Sequence, residues 1–512
     1  MATRNLSEIE RWFAEETFQS KRNGIVSASV YTSREEEEML KDDTATLSSV
    51  KTVRLAGGEK CALIKLALKY LIEENIILQL TLNADAKLQS LEKIFVNDVL
   101  TKLDFPSLVD EKIECYHSLP LPLLKEIFNN EPFLINKPLW RLFLIDENML
   151  IFHGNETIFD AFSMMNMQRA MQIAINRAKH DLINISENME VIDTLFINRD
   201  YRNLKIPKSV YDSSKLFIPS IGKDILNSQT QFFFKKIYTE GIKKSIDILR
   251  GYQPTNHLQI HNLYNQYSDL CGNSVFGNIS TDKYKRLKKF LYNEDISLKS
   301  FIATIVMMCL DVSKSSEQSD ILFQFPYNLR KVSKSELDLL SFKNILVKCP
   351  VSYVTSKNFL DFDFYNGYDA NNVRFPLEDP EFKEKLLDFN FEHISKLFET
   401  SIRARINAWN RCGLNDDDIK RMKMAASNTY LIDKVIEIND LVEESLEIPK
   451  ESNYMLKDAF FVKSSNPHAF LTVSLTSTQM NGLNITLTYP EGYEMDEFIL
   501  KFEDTIDLAC GN

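Results

Sequence analysis

The stretch Phe152-His153-Gly154-Asn155-Glu156-Thr157-Ile158-Phe159-Asp160-Ala161 gathers a histidine and two carboxylates into one short segment. These are side chains that move protons. A histidine titrates near neutrality and can serve as a general base at the working pH. A carboxylate with an ordinary pKa of about 4.3 is too weak for that role, but burial in apolar surroundings raises it by several units. Each group also has a plain structural reading. His153 reads as a strand-end histidine with a satisfied hydrogen bond, and Glu156 as a solvated loop carboxylate. Other chemistries find little support. The sequence has no P-loop, no G-x-G-x-x-G after a strand, no H-E-x-x-H and no G-x-S-x-G. His257 and His261 sit one helical turn apart, but Pro254 is near and a third ligand is missing. They read as a surface pair, and no metal is expected.

The elements that must position the segment are legible on both sides of it. Pro138 to Ile145 reads as a strand, Asp146-Glu147-Asn148 as a turn, and Met149 to His153 as the partner strand of a hairpin. Ala161 to Arg177 follows as a helix with Phe162, Met165 and Ile173 among its apolar positions. Upstream, Ser7 and Glu10 form an S-x-x-E capping box before Leu6, Ile9, Trp12 and Phe13, so an amphipathic helix opens the chain. Cys61 to Glu74 reads as a helix and Ile76 to Leu82 as a strand. Downstream, Phe276 to Ile279 is a short strand. Ser280 caps a helix to Tyr292, and Ser297 caps a nearly all-apolar helix to Leu310 that must be buried. Asp320 to Phe325 is a strand and Lys383 to Asn407 a long helix. Thr472 to Leu475 pairs with Gly482 to Thr488, and Met495 to Leu508 is a closing helix.

Length and composition set the frame. The chain has 512 residues, 44% apolar and 26% charged, enough for two cores. Residues 1–180 and 271–512 form two halves, and the weakly patterned residues 181–270 form the linker between them. Strands and helices intermix in both halves, which gives an α/β sandwich. The net charge of −12 argues against nucleic acid as a partner. The seven cysteines are scattered without a CxxC pair, as in a reducing, cytoplasmic-facing setting. Met1 to Arg11 is polar and lacks a signal-peptide core. The longest apolar run, Phe301 to Leu310, is about half of what a bilayer-spanning helix needs, so membrane contact would be peripheral.

Several segments, in a fixed order, resemble the superfamily of chloramphenicol acetyltransferase, peptide-synthetase condensation domains and fungal alcohol acetyltransferases. KPLWRLFLID (Lys137 to Asp146) is similar to the strand before that family's active-site loop. NETIFDAFS (Asn155 to Ser163) is similar to its NHxxxDG loop and following helix. FGNISTDKYKRLKKF and ISLKSFIATIVMMCL resemble the paired helices that open its second half. FQFPYNLRK (Phe323 to Lys331) resembles its PVNLR strand end, and NGLNITLTYPEGYEMDEF (Asn481 to Phe498) its final strand and helix. The Glu-Arg-Trp of the opening helix resembles the fungal alcohol acetyltransferases and their yeast amine N-acetyltransferase relatives.

The resemblance implies a two-domain, chloramphenicol acetyltransferase-like sandwich with an inter-domain tunnel. Acetyl-CoA would enter one mouth and a small alcohol or hydrophobic amine the other. A central histidine would take the acceptor's proton, which speeds such transfers by about 10²–10⁴. It further implies a monomer, cytoplasmic-facing, with peripheral contact to endoplasmic reticulum or lipid droplets as in fungal relatives. Here the pattern departs: aligning Asp160 puts Glu156 at the histidine position, and His153 lies three residues too early. Three readings stay open. Glu156 is the base; or His153 reaches the centre after a loop shift of about 10 Å; or the site is inactive and the fold serves ligand binding or regulation. Asp160 would hold the loop through Arg330. The resemblance assigns Asn328, Arg330, Ser452 and Asn453 to substrate or cofactor binding. In Ser452-Asn453-Tyr454-Met455, a methionine stands where many relatives carry a glycine.

Overall fold

The computed structural model describes residues 3–6, 10–11, 14, 24–33, 57–103, 119–130, 133–145, 149–184, 193–199, 206, 272–309, 322–326, 351–355, 395–396, 398–400, 402–403, 435–442, 453–464, 471–489 and 496–509. The described strands are β1 (Thr3–Asn5), β2 (Gly24–Ser33), β3 (Leu80–Leu82), β4 (Lys87–Ser90), β5 (Lys93–Phe95), β6 (Leu100–Leu103), β7 (Trp140–Ile145) and β8 (Met149–Asn155). They continue with β9 (Thr194–Ile197), β10 (Asn273–Ile279), β11 (Leu322–Pro326), β12 (Val351–Thr355), β13 (Val435–Asp440), β14 (Tyr454–Lys463), β15 (Leu471–Thr478) and β16 (Gly482–Tyr489). The helices are α1 (Gly57–Glu74), α2 (Val96–Val99), α3 (Leu121–Lys125), α4 (Ala161–Asn184), α5 (Thr281–Asn293), α6 (Leu298–Cys309) and α7 (Asp496–Ala509).

Two larger sheets carry the fold. The first has the order β14-β2-β8-β7-β6 and the second β10-β16-β15-β13-β11-β12. Two small sheets, β1-β4-β3 and β5-β9, flank the first. Alternation along β2 explains how the first sheet is covered. Ile25 and Tyr31 turn to one face, against α1 and α4, where Leu68, Leu71, Met164 and Met171 close the core with Trp140 and Phe152. Val26, Ala28 and Val30 turn to the other, under Leu123, Leu124, Ile127 and Phe128. In the second sheet, Ile436, Ile438, Val473, Leu475, Ile485 and Leu487 pack with Phe301, Ile302 and Ile305 of α6 and Phe502 and Ile506 of α7. The fold is thus mixed α/β, built on two sheets.

The hairpin read from sequence is β7 and β8, paired from Trp140 with Gly154 to Ile145 with Met149. Some elements differ from expectation. Ile76–Gln79 is a 3-10 helix, and only Leu80–Leu82 is strand. Leu78 N–H donates to the Asn75 carbonyl three residues back, which closes a 3-10 turn, and Ile77, Leu78 and Gln79 are buried within it. Ser280 does occupy the N-cap position of α5 but makes no side-chain cap bond. Ile173 is 41% exposed, because it lies two residues from Met171 and so on the opposite side of α4 from the methionine stripe. The opening helix is described only at residues 10, 11 and 14; there Glu10 takes both Arg4 guanidinium nitrogens at 2.8 Å.

Strand β14 links the halves. It comes late in the chain, yet it pairs antiparallel with β2 along Tyr454 to Lys463, with a bulge between Leu456 and Asp458. Its other side meets the second sheet through polar bonds. Thr476 Oγ1 donates to the Ala459 carbonyl at 2.7 Å, and Thr478 Oγ1 to that of Lys457 at 2.9 Å. Asp458 accepts from the Asn481 and Asn484 amides. Phe276 of β10 and Phe460 of β14 meet edge to face at 5.9 Å.

Candidate functional site

Strand β8 delivers the segment around Glu156 to the junction of the two sheets. Asn155 ends the strand fully buried, and its backbone N–H donates to the Leu139 carbonyl at 3.0 Å. Its side-chain oxygen then accepts from Thr157 N–H at 2.8 Å, and its carbonyl accepts from Ile158 and Phe159 at 3.1 and 3.0 Å. This is an Asx turn, and it fixes the backbone on which Glu156 sits. Asp160 closes the loop as the N-cap of α4. Its Oδ1 accepts from the Ser163 N–H at 2.6 Å and the Ser163 hydroxyl at 2.7 Å.

Between these two anchors, the Glu156 side chain is 13% exposed, and its Oε1 lies 3.4 Å from Lys463 Nζ. Lys463 is the last residue of β14, held opposite Ile25, and the next residue, Ser464, donates its N–H to the Gly24 carbonyl at 3.1 Å. The same ammonium lies 3.3 Å from Oε2 of Glu437, a residue of β13 in the second sheet. Glu437 is only 5% exposed in its side chain, and Oε1 accepts from the Asn439 amide at 2.9 Å. Three distant parts of the chain therefore meet in one row of charges, Glu156, Lys463, Glu437. Among the described residues, the Lys463–Glu437 pair is the ion pair that joins the first sheet to the second, and the Lys463–Glu156 pair ties the end of β14 to the loop after β8. Burial works against the Lys463 charge, but the two carboxylates outweigh it and hold the ammonium above the usual lysine range.

His153 lies elsewhere. It stands within β8, opposite Val26 of β2 and Arg141 of β7. Its ring is 2% exposed, packed 5.5 Å from Phe128 and 4.6 Å from Phe133. Burial first, and the Arg141 charge second, push its pKa down to about 3. The imidazole is neutral at physiological pH. Its Nδ1 is buried without a hydrogen-bond partner among the described residues, as is Thr157 Oγ1. A strand-end histidine with a satisfied bond was the simple expectation; the ring is instead an aromatic wall residue. Gly24 makes room for it, since a Cβ there would lie 2.5 Å from His153 Nε2.

Asn453 precedes β14, and its backbone N–H donates to Asn176 Oδ1 at 2.7 Å, as does that of Tyr454 at 2.9 Å. The Asn176 amide returns a bond to the Tyr454 carbonyl at 3.0 Å. Helix α4 therefore fixes the start of β14 as well as the loop. Met455 is a buried strand residue paired with Thr32. Asn328, Arg330, Ser452 and the pair His257 and His261 lie outside the described residues.

No protein-family model matches the chain. It is 31% identical over 526 residues to PSTB2-interacting protein 1 of Saccharomyces cerevisiae, covering 98% of this chain and 99% of the yeast protein. The chain belongs to the family of that yeast protein. Among solved structures, this member of the PSTB2-interacting protein 1 family is similar to the trichothecene 15-O-acetyltransferase TRI3 of Fusarium sporotrichioides. There the TM-score is 0.59 at 12% identity, covering 100% of this chain and 96% of the other. It is also similar to the first condensation domain of the calcium-dependent antibiotic synthetase, with a TM-score of 0.52 at 9% identity and coverage of 100% and 96%. Its fold is that of the condensation-domain and chloramphenicol acetyltransferase-like acyltransferases.

Lys463 and Glu437 were not among the residues that the sequence reading singled out. Neither β13 nor β14 reads as a strand from sequence, and nothing near these residues marks a long-range partner. As chemistry, the row leaves the Glu156 carboxylate engaged by a fixed ammonium 3.4 Å away rather than facing an open space.

Proposed function

We propose that this chain is a non-catalytic member of the acyltransferase fold that works by binding, with a regulatory role toward a partner protein. One observation carries the reading. The residue standing where the resemblance expects a general base, Glu156, is engaged by the Lys463 ammonium at 3.4 Å, while the neighbouring histidine is a neutral ring between two phenylalanines. The likeness to the yeast protein supports it, since that protein is named for its interaction with PSTB2. The counterpart of PSTB2 is accordingly the proposed partner of this chain.

Acyl transfer is the second reading, favoured by the likeness along the whole chain to an acetyltransferase fold. In it, acetyl-CoA would donate to a small alcohol or hydrophobic amine in a channel between the sheets, with Glu156 as base. Peripheral contact with endoplasmic reticulum or lipid droplets fits either reading. Among the described residues no helix is long and apolar enough to cross a membrane.

Purified protein incubated with acetyl-CoA and a panel of alcohols and amines separates the two. The binding reading expects no CoA release above background, and expects the partner counterpart to co-purify equally with wild type and Glu156→Ala. CoA release that disappears in Glu156→Ala would establish the transferase instead.

A further inference from the structure

A histidine base becomes a cation when it takes a proton, whereas a carboxylate base becomes neutral. The surroundings of residue 156 treat these two demands oppositely. Lys463 Nζ is 3.4 Å from the Glu156 carboxylate, and its backbone is fixed by pairing with Ile25. Glu437 tethers the same ammonium from the second sheet at 3.3 Å, and Asn439 holds that carboxylate in turn at 2.9 Å. The ammonium is therefore held from both sides. A side chain at residue 156 that gained positive charge would meet a like charge a few ångströms away, in surroundings where screening is weak.

We propose that Lys463, delivered by the crossing strand β14, determines which side chain residue 156 accepts and keeps that place silent as a base. This deepens the non-catalytic reading, on which it rests. Glu156 and Lys463 then form a matched exchange: an anion suits the ammonium, and a proton-accepting imidazole does not. A nearby charge of this kind moves a titration by about one to three pKa units.

The test places an imidazole at the position and reads its titration by NMR of 13C-labelled histidine. Glu156→His is compared in three backgrounds: Lys463 retained, Lys463→Arg and Lys463→Gln. With a cation retained, the added imidazole is expected to titrate at least one unit below its ordinary value of about 6.5. In Lys463→Gln, where Glu437 alone faces it, it should titrate at or above that value. Adding Glu437→Gln to the last variant removes that buried carboxylate as well, guards against loss of the fold, and should bring the titration back near 6.5. Equal titration in all backgrounds, within about 0.3 unit, would overturn the proposal. Turnover by the wild type would instead overturn the non-catalytic reading, and the two failures are read in separate experiments.

Discussion

Replacing Lys463 by methionine keeps the apolar stem of the side chain and removes its ammonium. Two carboxylates then lose their counter-ion, Glu156 at 3.4 Å and Glu437 at 3.3 Å, with side chains only 13% and 5% exposed. Taking one partner from a buried ion pair costs about 3–5 kcal/mol, because the remaining charge stays desolvated. For folding units of 150–250 residues each kcal/mol moves the midpoint by about 2–4 °C, so the expected fall is roughly 6–20 °C. Circular dichroism melts at neutral pH, at matched protein concentration, read the shift. Adding Glu437→Gln should recover part of it, since one of the two buried carboxylate charges is then gone. Raising salt to about 0.5 M should change the loss little, as buried pairs are weakly screened. A fall within about 2 °C, or one erased by salt, would mean that the row of charges is solvated and holds nothing together.

Other predictions concern the frame of the site. Asp160→Ala removes the cap on α4 that Ser163 now completes, and should cost about 1 kcal/mol in urea unfolding, whereas Asp160→Asn should retain most of it. His153 has a folded pKa pushed down to about 3, below its unfolded value of about 6.5. Its neutral form therefore contributes stability in full above pH 6.5, and that contribution is lost as pH falls toward 3. By linkage the loss at pH 5 is about 2 kcal/mol, and urea curves of His153→Met should lack that component. Gly24→Ala drives a Cβ to 2.5 Å from His153 Nε2 and 3.0 Å from Phe128, and should destabilise by about 1–3 kcal/mol. A double-mutant cycle with His153→Ala should show the two changes to be strongly coupled.

What could be read from sequence follows how local each signal is. The hairpin of β7 and β8 announces itself by an apolar run, a polar triplet and a second run, and β15 with β16 does the same around Gln479-Met480-Asn481. Helix α6 is nearly all apolar, so its burial follows from composition. The three-residue strands β1, β3 and β5 are too short to show any period. The placement of β14 beside β2 depends on pairing across most of the chain, which no local pattern encodes. The site divides in the same way. Glu156 and Asp160 were found because they share one loop. Lys463 and Glu437 come to that loop from different sheets, on two strands that carry no local signal strong enough to be read from sequence.

The most direct test of the account is CoA release by purified wild-type protein supplied with acetyl-CoA, alcohols and amines. With Glu156 engaged by Lys463, release should equal that of the buffer and of Glu156→Ala. Sustained release by the wild type that Glu156→Ala abolishes would contradict it.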